Sequence, residues 1–222
     1  MKNRKEKIGI IAVVVICCVI MAWIETVTEP AYFVKSAAKI AVFLSVPLIS
    51  MKLLNIKILD NNMALNKKGI IKLLLLGTFI FGAIIGVFFL TSNIFDYSSL
   101  VDSLSADQKV DSGSFIPVAL YISFCNSFLE EFLFRFVSFI KLSEYMSKKI
   151  AYIFSSVAFA VYHIAMIGAS FPLPLLILAL FGLAVGGFIF DLVDDKSKNI
   201  YNSWIIHMFA DFAIMTVWYI HI

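Results

Sequence analysis

Three short stretches of this sequence place ionisable residues at helical spacing inside otherwise apolar runs. They read Asn126-Ser127-Phe128-Leu129-Glu130-Glu131-Phe132-Leu133-Phe134-Arg135, then Phe159-Ala160-Val161-Tyr162-His163, then Asn202-Ser203-Trp204-Ile205-Ile206-His207-Met208-Phe209-Ala210-Asp211. Glu131 with Arg135, Phe159 with His163, and His207 with Asp211 are each four residues apart, which puts each pair on one helix face. Two glutamates, two imidazoles, an aspartate and a guanidinium gathered in one dry pocket can activate water. Glu130, flanked by a second carboxylate, is the candidate general base. Arg135, one turn from Glu131, keeps that second carboxylate ionised and in place and leaves Glu130 to do the chemistry. His163 shares the water with Glu130. His207 and Asp211 donate hydrogen bonds to an oxyanion or orient one another, Asp211 acting either protonated or through His207.

Ser127 and Cys125 neighbour Glu130, but neither has the sequence context of a hydrolase nucleophile, so activated water fits better than a covalent acyl-enzyme. The same residues can also be drawn as a zinc centre, with Glu130, His163 and His207 as ligands and one position open. There is no HExxH, and the three ligands come from separate segments. The residues leave a metal-free site and a Zn2+ site both open.

The elements that must hold these residues follow from composition. Of 222 residues 61% are hydrophobic and 15% charged, against roughly 45–50% apolar and about 25% charged in a soluble domain. A water-soluble fold is excluded. The net charge of +3 is small and scattered between apolar runs, so no nucleic-acid partner is expected. At ~20 residues per crossing the apolar sequence makes about seven helices. The expected fold is all-α, a polytopic transmembrane helix bundle in a lipid bilayer, with spans at about 8–24, 31–54, 70–90, 115–139, 150–169, 173–193 and 200–220. The organisation expected is one integral bundle, with N-terminal transmembrane helices and an external loop over 1–112 and catalytic helices over 113–222. No internal repeat divides it.

Charge orients the chain. Lys2, Arg4, Lys5 and Lys7 precede the first span; Lys52, Lys57, Lys67, Lys68 and Lys72 follow the second; Lys141, Lys148 and Lys149 follow the fourth; Lys196 and Lys198 follow the sixth. The alternate connections hold Glu25 and Glu29, then Asp96, Asp102, Asp107, Lys109 and Asp111, then an uncharged loop. Basic residues mark the cytoplasmic side, so the N-terminus is expected inside and the C-terminus outside. Lys35 and Lys39, in the outer part of the second span, are expected to snorkel to the outer interface. Residues 91–114 read as an external loop in which Ser98-Ser99-Leu100 starts a short interfacial helix behind a Ser cap. The first span has no small-x-small cleavage site after it and Ile16 before Cys17, so it reads as retained rather than as a signal peptide. Cys17, Cys18 and Cys125 lie in apolar runs and read as buried, inert thiols.

Glu130, Glu131, Arg135 and Asp211 stand within these spans, at a cost of about 2.5–3.5 kcal/mol each on insertion scales, so they belong in the bundle interior. At 1.5 Å per residue Glu130, His207 and His163 come to ~15, ~12 and ~20 Å above the cytoplasmic side, and they can converge.

In this order the motifs resemble the CPBP family of intramembrane proteases, which includes prenyl-protein CAAX endopeptidases and the Abi proteins of bacteriocin processing and self-immunity. The family pattern is Glu-Glu-x-x-x-Arg, Phe-x-x-x-His and His-x-x-x-Asn/Asp on separate helices; here it is Glu130-Glu131 to Arg135, Phe159 to His163 and His207 to Asp211. The likeness covers roughly 113–215, and Gly182, Gly186 and Gly187 look like the small-residue stretch the family places before its last motif, allowing close helix contact. The resemblance implies hydrolysis of a peptide bond in or at the membrane of a prokaryotic cell. It gives Glu130 as base, His163 as its partner on the water, and His207 with Asp211 on the oxyanion side. It is described both as metal-dependent and as glutamate-dependent, so Zn2+ stays open. Phe136 stands where many members have Gly directly after the Arg, and its bulk is expected to narrow the packing behind the catalytic helix.

The substrate class implied is a peptide or prenylated protein: a CAAX protein, a pheromone precursor or a bacteriocin leader. The sequence sets no oligomeric state. The alternative is a non-catalytic relative, a self-immunity or peptide-binding membrane protein with the same pocket. A proton-coupled transporter also uses intramembrane Glu and His, but internal repeats are expected there.

Overall fold

The computed structural model describes residues 2–58, 67–108, 110–111 and 113–221. Lys2, Lys67, Lys68, Asp107 and Lys109, used above to orient the chain, and residue 112 at the proposed boundary lie outside the residues whose side chains are described. Seven helices are long and apolar enough to cross a membrane: Arg4–Thr28, Tyr32–Leu53, Gly69–Thr91, Phe115–Glu144, Lys148–Ile167, Leu173–Ser197 and Tyr201–His221. They are the first to seventh spans, and no strand occurs among the described residues. The chain is an all-helical integral membrane protein. Phe33, Phe79, Leu90 and Phe181 turn outward and stay exposed, which only a lipid surround tolerates.

The first and fourth spans overrun their apolar stretches, because helical hydrogen bonding continues through polar ends such as Lys141 to Glu144. Each turn has its own stop. Glu29 and Lys198 take left-handed φ of 39° and 53°, and the Lys198 amide donates to the Asp194 carbonyl at 2.7 Å. Asn199 then caps the seventh span, its Oδ1 accepting from the Tyr201 amide at 3.0 Å. Between the third and fourth spans a helix runs over Tyr97–Gln108. Its cap is Asp96, whose Oδ1 accepts from the Ser99 amide at 3.2 Å, and not Ser98. A carboxylate two positions earlier reaches the free amide of the first turn. This helix packs through Val101 onto Phe115, Met215 and Trp218, and Trp218 Nε1 donates to Ser105 Oγ at 3.0 Å. Just beyond it Asp111 accepts from the Ser114 amide at 2.7 Å and hydroxyl at 2.6 Å, hydrogen bonds that hold its carboxyl below the usual range.

The fourth span is the hub. Every residue from Leu129 to Leu142 is buried, with the first, second, fifth, sixth and seventh spans packed around it. It is wound as a wider π-helix over Tyr121–Asn126 and again over Glu131–Lys141, a form that clusters at functional sites. The freed Phe124 carbonyl accepts from Trp204 Nε1 of the seventh span at 3.0 Å. The third span lies outside this ring and packs along the seventh, where Gly77 sits under the Phe209 ring.

The three glycines of the sixth span do not act together. A Cβ on Gly187 would stand 3.2 Å from Ser156 Cα and 3.5 Å from an Arg135 guanidinium nitrogen, whereas one on Gly182 or Gly186 meets nothing within 4 Å. Only Gly187 brings the fifth and sixth spans together around the site, because one side of a helix can face a neighbour while the opposite side faces lipid. Gly187→Ala is therefore expected to lower stability by about 1–3 kcal/mol through overpacking against backbone, while Gly182→Ala and Gly186→Ala leave it unchanged. Thermal unfolding of the three variants in detergent checks the difference.

Candidate active site

The fourth span presents Glu130, Glu131 and Arg135 to three different helices. Glu130 is 1% exposed. Its Oε1 accepts from Lys39 Nζ of the second span at 2.6 Å and from Asn126 Nδ2, one turn back, at 3.0 Å. Lys39 also donates to Asn126 Oδ1, so the three side chains close a triangle. The other oxygen, Oε2, faces His163 Nε2 of the fifth span and His207 Nε2 of the seventh, each at 3.8 Å.

The outer nitrogen of each imidazole is tied. His163 Nδ1 lies 2.7 Å from the Phe159 carbonyl, which can only accept, so Nδ1 carries a proton and donates. This is what the Phe159-to-His163 spacing achieves: the helix's own carbonyl fixes the ring. His207 Nδ1 lies 2.7 Å from Glu131 Oε1 and donates to that carboxylate. Both Nε2 atoms are thereby left pointing at Glu130. Asp211 Oδ1 stands 3.7 Å from His207 Nε2, on the same side as Glu130, and the buried Oδ2 makes no hydrogen bond to protein. His207 is thus oriented by Glu131 from another helix, through the nitrogen opposite the one that faces Asp211.

Arg135 is fully buried. Its Nε is 3.3 Å from Glu131 Oε2 and 3.8 Å from Asp191 Oδ1 of the sixth span, and its guanidinium carbon lies 4.3 Å and 4.9 Å from the ring centroids of Phe159 and Phe190. Charge and ring faces hold it rather than well-aligned hydrogen bonds. Asp191 is anchored in turn by the hydroxyls of Ser155, at 2.9 Å, and Ser156, at 3.3 Å. A chain of contacts runs from Asp191 through Arg135, Glu131 and His207 to Glu130, crossing three helices.

All six residues singled out from the sequence meet in this one cluster. Lys39, Asn126 and Asp191 were not singled out. Lys39 does not snorkel: it is 4% exposed and turned inward, because a buried carboxylate within reach is a stronger partner than the interface. Lys35, one turn earlier, pairs with Glu25 Oε2 at 2.8 Å. Asp191 had a signal, an acid inside an apolar span. Asp194, one turn on, is also buried and holds the start of the seventh span, accepting from the Ser203 amide at 3.1 Å and hydroxyl at 2.7 Å. Phe136 is buried, and its ring stacks on that of Phe132 at 5.3 Å.

A tetrahedral zinc with bonds of ~2.0 Å sets its donors about 3.3 Å apart. Glu130 Oε2 stands wider than this from both Nε2 atoms, and its other oxygen already holds an ammonium. Among the described residues no group of three or more His, Cys, Asp or Glu is placed to hold a metal ion. The residues as arranged do not form a zinc ligand set.

The candidate site is a buried Glu-His-His-Asp cluster inside a helical membrane bundle. Residues 112–213 match the family described as type II CAAX prenyl endopeptidase Rce1-like. The matched segment is a little under half of the chain and takes in all three motifs, a likeness to that family consistent with the resemblance to the CPBP proteases. No curated protein and no solved structure matches the chain.

If Asp191 supplies the counter-charge for Arg135, Asp191→Ala leaves a buried guanidinium short of a partner and is expected to cost about 3–5 kcal/mol. Asp191→Asn, which keeps the side chain's volume and one acceptor oxygen for the serine hydroxyls, should cost less. Unfolding of both in detergent is the measurement, and a wild-type melt for Asp191→Ala would rule the role out.

Proposed function

We propose that the chain is an intramembrane endopeptidase that hydrolyses a peptide bond of a membrane-associated or lipidated protein with water activated by Glu130. The observation that carries this reading is the convergence of two imidazole Nε2 atoms on one oxygen of a buried carboxylate whose other oxygen is occupied. A water donating to Glu130 Oε2 lies within reach of both rings. His163, protonated on Nδ1, presents a lone pair at Nε2 and accepts the second hydrogen of that water. His207 in its doubly protonated form donates Nδ1–H to Glu131 and Nε2–H to the oxyanion, its charge balanced by Glu130, Glu131 and Asp211 within 4 Å.

Glu130 takes a proton from water as the hydroxyl adds to the scissile carbonyl carbon. The oxyanion rests on the His207 Nε2–H, and Asp211 acts through His207 as a counter-charge. Collapse breaks the C–N bond, and Glu130 returns its proton to the leaving amine. The description of the matched family makes a prenylated CAAX protein the first substrate to try. The chain is proposed to sit with its N-terminus inside and C-terminus outside, in a prokaryotic cell membrane.

Glu130→Gln is expected to slow cleavage of a fluorogenic farnesylated CAAX peptide about 10^2–10^4-fold, the range for losing a general base, with an unchanged elution profile in detergent. Undiminished cleavage would sink the base assignment. If wild type cuts nothing, yet protects cells from a bacteriocin and keeps doing so as Glu130→Gln, the non-catalytic binding reading replaces this one. Exhaustive chelation is expected to leave the rate unchanged; loss of activity that Zn2+ restores would overturn the metal-free mechanism.

A further inference from the structure

Lys39 belongs to the second span, outside the segment 112–213 that matches the family, yet its ammonium makes the shortest ionic contact to Glu130. The ammonium is enclosed, 5.2 Å from the Phe43 ring centroid and 5.0 Å from that of Tyr162. It donates to Glu130 Oε1 and Asn126 Oδ1, both on the fourth span. Lys39 and Asn126 both donate to Oε1, and Oε2 is left facing the two histidines.

We infer that Lys39 is a positioning residue for the Glu130 base, holding Oε1 so that Oε2 faces His163 and His207, and that the N-terminal helices therefore complete the active site. The inference rests on the proposed peptidase reading. The physical need is plain: a carboxylate rotates freely about its last torsion unless one oxygen is held, and an ion buried without a counter-ion is strongly unfavourable. Asn126 cannot meet that need alone, since its amide carries no charge. Lys39 supplies both the charge and the direction, with Asn126 bracing it. Lys35 provides the internal contrast, because its ammonium pairs with Glu25 of the first span and makes no contact with the cluster.

A bridge that merely joined the second and fourth spans would affect folding without selecting the chemical step. Lys39→Met is expected to lower kcat for the farnesylated peptide about 10^2-fold, in line with loss of a preorganised charge, with KM nearly unchanged. Lys39→Arg should restore a large part of kcat, and Lys35→Met should keep wild-type kcat. In melting experiments the double variant Lys39→Met/Glu130→Gln should unfold at a higher temperature than Lys39→Met alone, because the uncompensated carboxylate is gone. Wild-type kcat in Lys39→Met overturns the inference, as does a double variant no more stable than Lys39→Met. Absence of cleavage by wild type itself would instead overturn the peptidase reading, with the melting comparison still deciding whether Lys39 answers the charge of Glu130.

Discussion

A helix buried on every side has no water with which to solvate a charge, yet the fourth span carries Glu130, Glu131 and Arg135 within six residues. Each ion left alone in hydrocarbon costs several kcal/mol, so each must be met by a group from another helix. Lys39 comes from the second span to Glu130, His207 from the seventh to Glu131, and Asp191 from the sixth to Arg135. His163 arrives from the fifth. Charge pairing thus specifies which helices surround the fourth, a demand that apolar packing alone does not make, since one leucine-rich helix face packs much like another. The small residue at Gly187 serves the same end by letting the fifth and sixth spans close around the guanidinium.

The same pairing divides labour between the two glutamates. Glu131 has both oxygens engaged, one by His207 and one beside Arg135, so it is spent on orientation. Glu130 has one oxygen held and the other facing two ring nitrogens. A pair of adjacent, chemically identical side chains is thereby given two different surroundings by what the neighbouring helices bring to each. The two imidazoles are separated likewise. A backbone carbonyl fixes one and a carboxylate fixes the other, so two rings of the same type are held by different partners while both turn Nε2 toward Glu130.

Much of this was legible in the sequence. Seven apolar runs marked seven helices to within a few residues, because a membrane span must satisfy its backbone internally and be apolar for about 20 residues. The i,i+4 pairs also met, since such spacing sets a common face whether the helix is α or slightly widened. Other features were not legible. Lys39 looked like a snorkelling lysine because sequence gives its depth but not the direction in which it points. Gly182 and Gly186 looked equivalent to Gly187 because a stripe of small residues does not say which one a neighbour touches. The cap at Asp96 was masked by the serines that follow it.

What the sequence determined by itself was an inventory: how many helices, which ionisable residues lie within them, and which pairs share a face. These follow from local rules of periodicity and from the cost of charge in hydrocarbon. Only the tertiary structure decided the partners. That Glu131 and not Asp211 binds His207 Nδ1, that Asp191 answers Arg135, and that a lysine 91 positions before Glu130 holds its oxygen, depend on how helices far apart in the chain are turned toward one another. That rotation is set by the whole set of charges seeking partners at once, and no single segment carries it.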